Sequence, residues 1–204
     1  RESKKYQLRG EILSFIPVDK NVEIMLVTIT NTGRMAQTVT PTAAIPLYGR
    51  SADNIRDHRH VTSLLHRIET TDTGVLVTPT LSFDERGHQV NHMTYYCVGW
   101  SGNGEKPVDF YPTAEDFVGE GGNFERPYAI VKNAEGVKAG TKIEGLEAVG
   151  GLHFSEITLE PEEECSYLIF TGITEDIQEI RNLSKTYTTR EKVLEELEKT
   201  KAYW

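Results

Sequence analysis

The stretch VEIMLVTI, residues 22–29, decides the fold that this sequence predicts. Successive side chains of a β-strand point to opposite faces, and here both alternating sets are mostly apolar. The two sets are Val22, Ile24 and Leu26, and Met25, Val27 and Ile29. A strand that is apolar on both faces belongs between two layers of structure. Asn31, Thr32 and Gly33 follow it and predict a turn.

Strand-forming segments lie on both sides of this stretch. Residues 6–12 alternate between apolar and polar side chains, which is typical of a half-buried strand. Residues 36–47 are rich in strand formers but contain Pro41 and Pro46, which confine the segment to an edge or a bulge.

Two pairs of later segments predict hairpins. Residues 74–83 and 91–100 flank a turn and predict an antiparallel pair. Residues 151–158 and 164–172 flank the acidic turn Leu159-Glu160-Pro161-Glu162-Glu163 and form the clearest hairpin pattern in the sequence.

The apolar period changes near residue 174. Residues 174–186 predict a helix capped by Thr174, and a second helix follows, with Thr188 and Glu191 forming a capping box. Many strands with only terminal helices predict two packed antiparallel sheets, and the shortage of crossover helices excludes a parallel α/β sheet. We expect a β-domain over residues 1–173 and a helical linker over residues 174–204.

Composition limits the function classes. The chain has 204 residues, 22 Lys and Arg and 31 Asp and Glu, so its formal net charge is −9, which disfavours nucleic acids and anionic membranes as partners. There is no signal-peptide pattern and no apolar run of membrane-spanning length. Cys97 and Cys165 lie in apolar runs and predict reduced core thiols in a cytoplasmic protein, although a disulfide between them stays open.

Positive charge is concentrated in residues 48–68, YGRSADNIRDHRHVTSLLHRI. Its charged residues could pair with one another in an ordered loop, because most ion networks are structural. Alternatively they face another domain, a subunit or a polar ligand, since the guanidinium fork suits carboxylates, phosphates and vicinal hydroxyls. A metal site formed by Asp57, His58 and His60 is a weaker alternative, because no second ligand pair supports it.

Residues 48–65 resemble a stretch of the N-terminal β-supersandwich of glycoside hydrolase family 94, formerly glycosyltransferase family 36. Residues 117–122 and the closing helices are also similar to that family. The glycines of residues 118–123 predict a tight loop. The resemblance covers essentially the whole chain and is strongest to β-1,2-oligoglucan phosphorylases and cyclic β-1,2-glucan synthases.

The resemblance implies a galactose mutarotase-like supersandwich that precedes an (α/α)-barrel in a longer, homodimeric enzyme. Such an enzyme cleaves β-linked gluco-oligosaccharides with inversion, using inorganic phosphate as co-substrate and no other cofactor. A general acid protonates the leaving oxygen while phosphate attacks. Because the family's acid and phosphate clamp belong to the barrel, we assign no catalytic residue and no metal ligand to this chain. We expect the chain to be an excised domain or a fragment.

The candidate site residues all come from the cationic stretch. We expect them at a subunit interface or at the border of the sugar site; they are Arg50, Asp53, Arg56, Asp57, Arg59 and His60.

Two other functions compete with the phosphorylase domain. A stand-alone carbohydrate-binding module would use an aromatic platform drawn from Tyr95, Tyr96, Trp100, Phe110 and Tyr111. An aldose epimerase would need His88, His92 and His153 to converge with a carboxylate, an idea that rests on fold analogy.

Overall fold

The computed structural model describes residues 1–49, 62–84 and 87–204, with the backbone alone at residues 83 and 84. Fifteen strands and four helices lie in these ranges. The strands are β1 (Glu2–Ser3), β2 (Leu8–Phe15), β3 (Val22–Asn31), β4 (Gln37–Val39), β5 (Thr42–Leu47), β6 (His66–Thr70), β7 (Gly74–Pro79), β8 (Leu81–Asp84), β9 (Gly87–Val90), β10 (Thr94–Ser101), β11 (Asp109–Thr113), β12 (Lys142–Glu144), β13 (Ala148–His153), β14 (Ile157–Leu159) and β15 (Glu164–Thr174). The helices are α1 (Ala114–Val118), α2 (Tyr128–Lys132), α3 (Ile177–Thr186) and α4 (Arg190–Tyr203).

All strand pairs are antiparallel. A large sheet of eight strands has the order β1-β2-β3-β15-β10-β7-β6-β12. A small sheet of three strands has the order β11-β13-β5, and two short ribbons pair β14 with β4 and β8 with β9. The structure therefore confirms the predicted mainly-β architecture of packed antiparallel sheets followed by C-terminal helices.

The large sheet is the central layer because both of its faces are covered. On one face, Ile24 and Leu26 of β3 pack in a cluster with residues of α3 and α4. On the other face, Val27 borders a cluster that contains Leu152 of the small sheet. One apolar face of residues 22–29 is buried as predicted, whereas Met25, Val27 and Ile29 on the other face are only half-buried. The far face of the small sheet is in turn covered by α1 and α2, around Phe117 and Ala129.

The two sheets approach closely at Gly150 of β13. A Cβ added to Gly150 would collide with the Cβ of Cys97 on β10, so the small sheet can lie at this distance only because the side chain is absent. The covered part of the large sheet is β6, β7 and β10, which are the strands that the small sheet mainly contacts.

The C-terminal helices are held by an aromatic stack. Trp100 and Phe170 stack with ring centroids 4.7 Å apart, and Phe170 stacks on Tyr187 at 5.6 Å. Trp100 Nε1 donates a hydrogen bond of 2.8 Å to the Tyr187 carbonyl at the corner between α3 and α4. The helices are therefore part of the sandwich core over Ile180, Leu183 and Val193.

Asn31 fixes the corner where β3 leaves the large sheet. Its side-chain nitrogen donates to the carbonyls of Met35 and Leu159 at 2.8 and 2.9 Å, and its side-chain oxygen accepts from the Gly33 amide at 2.9 Å. The turn predicted after residue 29 is confirmed, and the buried Asn31 also ties it to the end of β14.

One predicted hairpin is wrong. Residues 151–158 and 164–172 are extended, but β13 pairs with β11 and β5, and β14 pairs with β4, whereas β15 pairs with β3 and β10. The turn between them is a corner that carries the chain from one layer to the other. The predicted pairing of residues 74–83 with 91–100 is confirmed as β7 with β10, and the β8–β9 ribbon is inserted between them.

The helix starts differ slightly from their predictions. Asp176, rather than Thr174, caps α3 by accepting from the Gln178 amide at 2.8 Å, and the Thr174 hydroxyl donates to Glu179 at 2.6 Å. The N-cap of α4 is Thr189 instead of Thr188.

Both cysteines are free thiols, which confirms the reduced form. None of the helices in the described residues is long and apolar enough to cross a membrane.

Candidate functional site

A pocket lies at the two ends of the cationic stretch. Its volume is about 290 Å³, and it opens where β5 ends and where the chain re-enters before β6. Its walls come from four regions of the sequence; they include Pro46, Leu47, Tyr48, Thr62, Ser63, His66, Ala114, Val118, Asn123, Phe124, Glu147 and Val149. A cavity of this size suits one or two sugar rings rather than a macromolecule.

His66 forms a buried, neutral part of the pocket wall. Its side chain is 3% exposed, and Nδ1 lies 3.1 Å from the Leu146 carbonyl, which can only accept, so Nδ1 carries the proton. Burial lowers the pKa of His66, although the carbonyls of Leu146 and Gly49 and the nearby Glu147 oppose that change. Nε2 has no hydrogen-bond partner among the described residues, but it is buried beside Gly49, so the ring is part of the wall and not an open acceptor.

Phe124 forms an aromatic wall that α1 and the glycine-rich loop hold in place. The Thr113 hydroxyl caps α1 by accepting from the Asp116 amide at 3.0 Å. The buried Phe117 of this helix then packs against Phe124 with ring centroids 5.7 Å apart. The loop between them needs Gly119, whose φ is +77° and against which Tyr128 packs. The glycine-rich segment is thus a tight loop, as predicted.

Tyr48 provides the second exposed ring at the pocket. Tyr48 is 45% exposed and Phe124 is 46% exposed, so both rings offer surface to a ligand. The aromatic platform considered from the sequence is wrong for four of its five members, because Tyr96, Trp100, Phe110 and Tyr111 are buried in the core. Tyr95 is half-buried and packs beside the cluster between the sheets.

Together these groups can recognise a polyhydroxylated ligand. Sugar rings place apolar C–H faces on aromatic side chains, and their hydroxyls exchange hydrogen bonds with polar groups. The pocket combines two exposed rings with the imidazole of His66 and the Asn123 amide. The Asn123 oxygen already accepts from the amides of Glu125 and Arg126, which fixes its orientation.

The sequence model of the glycosyl hydrolase 94 supersandwich domain matches residues 2–190. The chain belongs to this domain family. The matched residues include every strand and α3, so the family pattern extends over the whole sandwich of this supersandwich domain. No curated protein matches the sequence.

The predicted site residues of the supersandwich domain cannot be placed. Arg50, Asp53, Arg56, Asp57, Arg59 and His60 lie outside the described residues, so their roles stay predictions. The ends of their segment are nevertheless defined, because Tyr48 and Thr62 both line the pocket. These ends lie on the small-sheet side of the domain, whereas α3 and α4 pack on the opposite face of the large sheet.

A second cluster of titratable groups joins β11 to β13. Asp109 and His153 are cross-strand partners, and Asp109 Oδ1 lies 2.6 Å from His153 Nδ1. Lys138 Nζ lies 3.9 Å from the other carboxylate oxygen. Because these contacts bridge neighbouring strands at the edge of the supersandwich, the pair acts as a link within the small sheet.

The three histidines of the epimerase alternative do not converge. Gly150 of β13 lies against Cys97 of β10, and Leu152 lies against Gly99, so the two strands run in the same direction. His153 therefore lies near the end of β10 that contains Trp100. His92 precedes the opposite end of β10 at Thr94. Across the described part of the supersandwich domain, no group of three or more His, Cys, Asp or Glu side chains has a metal-binding arrangement.

Proposed function

We propose that this chain is the non-catalytic N-terminal domain of an inverting glycoside phosphorylase that acts on β-linked gluco-oligosaccharides. Residues 1–173 form the sandwich, and residues 174–204 lead to an (α/α)-barrel that carries the chemistry. The sandwich contributes a scaffold, part of a homodimer interface and one border of the sugar site. The parent enzyme is cytoplasmic and uses inorganic phosphate as co-substrate.

The observation that carries this proposal is the family match over residues 2–190. In an inverting phosphorylase, one carboxylic acid protonates the glycosidic oxygen while phosphate attacks the opposite face of the sugar. Both groups belong to the barrel in this proposal, so the sandwich needs only to shape the entrance to the site. Its proposed substrates are β-1,2-linked, following the sequence resemblance.

The pocket lined by Tyr48 and Phe124 supports the role at the sugar site. Both rings offer aromatic surface, and the Asn123 side chain lines the same pocket. The cationic stretch joins the pocket at both ends, and its guanidinium groups suit vicinal hydroxyls and phosphate.

The position of the segment ends favours a particular neighbour for the cationic stretch. The segment leaves from the small-sheet side, and the helices that lead to the barrel lie across the large sheet. We therefore propose that Arg50, Asp53, Arg56, Asp57, Arg59 and His60 contribute to an interface with the partner subunit of a homodimer.

Phosphorolysis by a polypeptide that joins this chain to its (α/α)-barrel tests the proposal. Replacing Phe124 by alanine removes one aromatic wall, and we expect KM for a β-1,2-gluco-oligosaccharide to rise about two- to tenfold, because an aromatic contact contributes about 0.5–1.5 kcal/mol. The value of kcat should stay within about twofold, since the reacting groups belong to the barrel in this proposal.

Tyr6→Ala is the matched control. Tyr6 is 59% exposed and does not line the pocket, so its removal should leave KM unchanged. Equal effects of the two substitutions would count against the pocket, and turnover of a gluco-oligosaccharide by residues 1–204 alone would overturn the proposed division of labour.

A stand-alone carbohydrate-binding module is the second candidate. The exposed pair Tyr48 and Phe124 favours it, because modules bind sugars on such rings. Affinity separates the two functions, since a module must bind oligosaccharide tightly by itself, whereas a domain that borders a barrel site needs the barrel for affinity.

A further inference from the structure

An apolar groove lies between the two sheets, on the side away from the pocket. Its volume is about 290 Å³, and its floor is formed by Met25, Val27 and Ile29 of β3. Ala43 and Ile45 of β5 form one wall. At one end it is closed by Pro41, Phe154 and Tyr167, and Ile12 of β2 forms the opposite rim.

The groove exists because the small sheet is narrower than the large one. Within the described residues β5 is the last strand of its sheet, so one row of its backbone groups has no strand partner. The large sheet continues beyond the covered strands as β15, β3 and β2. At about 4.8 Å per strand, this overhang is roughly 14 Å wide.

The overhang limits what can pair with β5. A second copy that joined its own β5 edge to edge would bring its large sheet into the space already filled by β15, β3 and β2 of the first copy. A two-layer partner therefore collides. One extended segment fits, because it would lie beside β5 and above the floor, completing the small sheet by one strand.

The lining defines the chemistry of that segment. Side chains that point to the floor meet Met25, Val27 and Ile29, so every second residue must be apolar. The outer edge of β5 supplies backbone groups to the incoming segment. Beyond Met25 at the open end, the next residue on this face of β3 is the exposed Glu23, whose carboxylate accepts from the Ser14 hydroxyl and favours a basic residue there.

We propose that this groove binds an extended peptide of about six residues, from a partner protein, by β-strand addition to β5. The peptide alternates apolar and polar side chains and carries a basic residue at the Glu23 end. This site is separate from the proposed sugar site and does not depend on the proposed function.

An acetylated and amidated KTVTVTV peptide, whose lysine and valines share one face, tests the proposal when it is titrated into the isotope-labelled chain and followed by NMR. We expect saturable binding, with shifts and new exchange protection at the β5 amides. The same peptide N-methylated at alternate backbone nitrogens should bind at least about tenfold more weakly, because it cannot form the edge hydrogen bonds. Glu23→Gln should weaken only peptides that carry the lysine.

Two isoleucines provide a matched pair of variants. Ile12 is 68% exposed at the groove rim and Ile16 is 62% exposed outside it, so neither change threatens folding. Ile12→Lys should weaken binding about tenfold and Ile16→Lys less than twofold, because only the first removes apolar surface from the groove.

Three results would overturn the proposal. These are the absence of binding, equal binding of the N-methylated peptide, and equal effects of the two isoleucine variants. Self-association of the chain that Ile12→Lys abolishes would assign the groove to a second copy and would also overturn it.

Discussion

Replacing Tyr187 by alanine should remove the anchor that holds the C-terminal helices on the large sheet. The Tyr187 side chain is 1% exposed and stacks on Phe170, and its hydroxyl accepts a hydrogen bond of 2.9 Å from Lys20. Loss of a buried aromatic side chain costs about 3–5 kcal/mol. Against a typical domain stability of about 5–15 kcal/mol, Tyr187→Ala should lower the free energy of unfolding by a large fraction.

Two further variants separate the ring from its hydroxyl and from general surface effects. Tyr187→Phe removes only the hydrogen bond from Lys20 and should cost about 0.5–1.5 kcal/mol. Tyr203 lies on the same pair of helices but is 66% exposed, so Tyr203→Ala should change the stability by less than about 0.5 kcal/mol.

Urea unfolding measures these differences. Circular dichroism reports the helices, and fluorescence reports the buried Trp100, whose ring nitrogen donates to the Tyr187 carbonyl. Both signals should change in one transition in the wild-type chain, because the helices share a core with the sheet. If Tyr187→Ala costs no more than Tyr187→Phe, or if the helices melt before the sheet, the helices are not part of the sandwich core.

Three further predictions concern buried groups. Burial holds the pKa of His66 below its usual 6.5, so below pH 6.5 the unfolded chain takes up a proton that the folded chain does not. The urea midpoint should therefore fall as the pH drops from 7.5 to 5, and His66→Gln should reduce this pH dependence. Gly150→Ala should lower the free energy of unfolding by about 1–3 kcal/mol, because the added methyl group overpacks the space between the sheets. Gly10 lies at an open position, so Gly10→Ala should not lower it. Equal effects of the two substitutions would contradict the close approach of the sheets. Burial raises the pKa of Cys97 to about 12, so at pH 8 a disulfide reagent should label the half-buried Cys165 first, and Cys165→Ser should abolish labelling of the native chain.

The strands were predictable because the apolar period is a local property. Residues 22–29 are apolar on both faces; Val22, Ile24 and Leu26 are buried as that pattern predicts, whereas Met25, Val27 and Ile29 are half-buried at the edge of the small sheet. Partner choice is not local. The alternating pattern of residues 151–158 is the same whether they pair with residues 164–172 or with strands of the small sheet. The small sheet is held in place partly by the close approach of Gly150 to Cys97, a residue far away in the sequence.

The candidate site was only partly predictable for the same reason. Charge clustering identified residues 48–68, whose two ends border the pocket. The pocket itself also needs Phe124 and Glu147, which come from segments that carry no matching signal. The glycines before Phe124 indicated a tight loop, but nothing in the sequence showed that this loop meets the end of β5.

In the proposed function the sandwich faces a sugar through the pocket between Tyr48 and Phe124 but depends on a barrel for affinity. An NMR titration of residues 1–204 with a β-1,2-gluco-oligosaccharide tests this division directly. We expect shifts confined to the surroundings of Tyr48, His66 and Phe124, with Kd of about 1 mM or weaker, equivalent to a binding free energy of about −4 kcal/mol at most. Micromolar binding, or shifts only on another face of the domain, would contradict it.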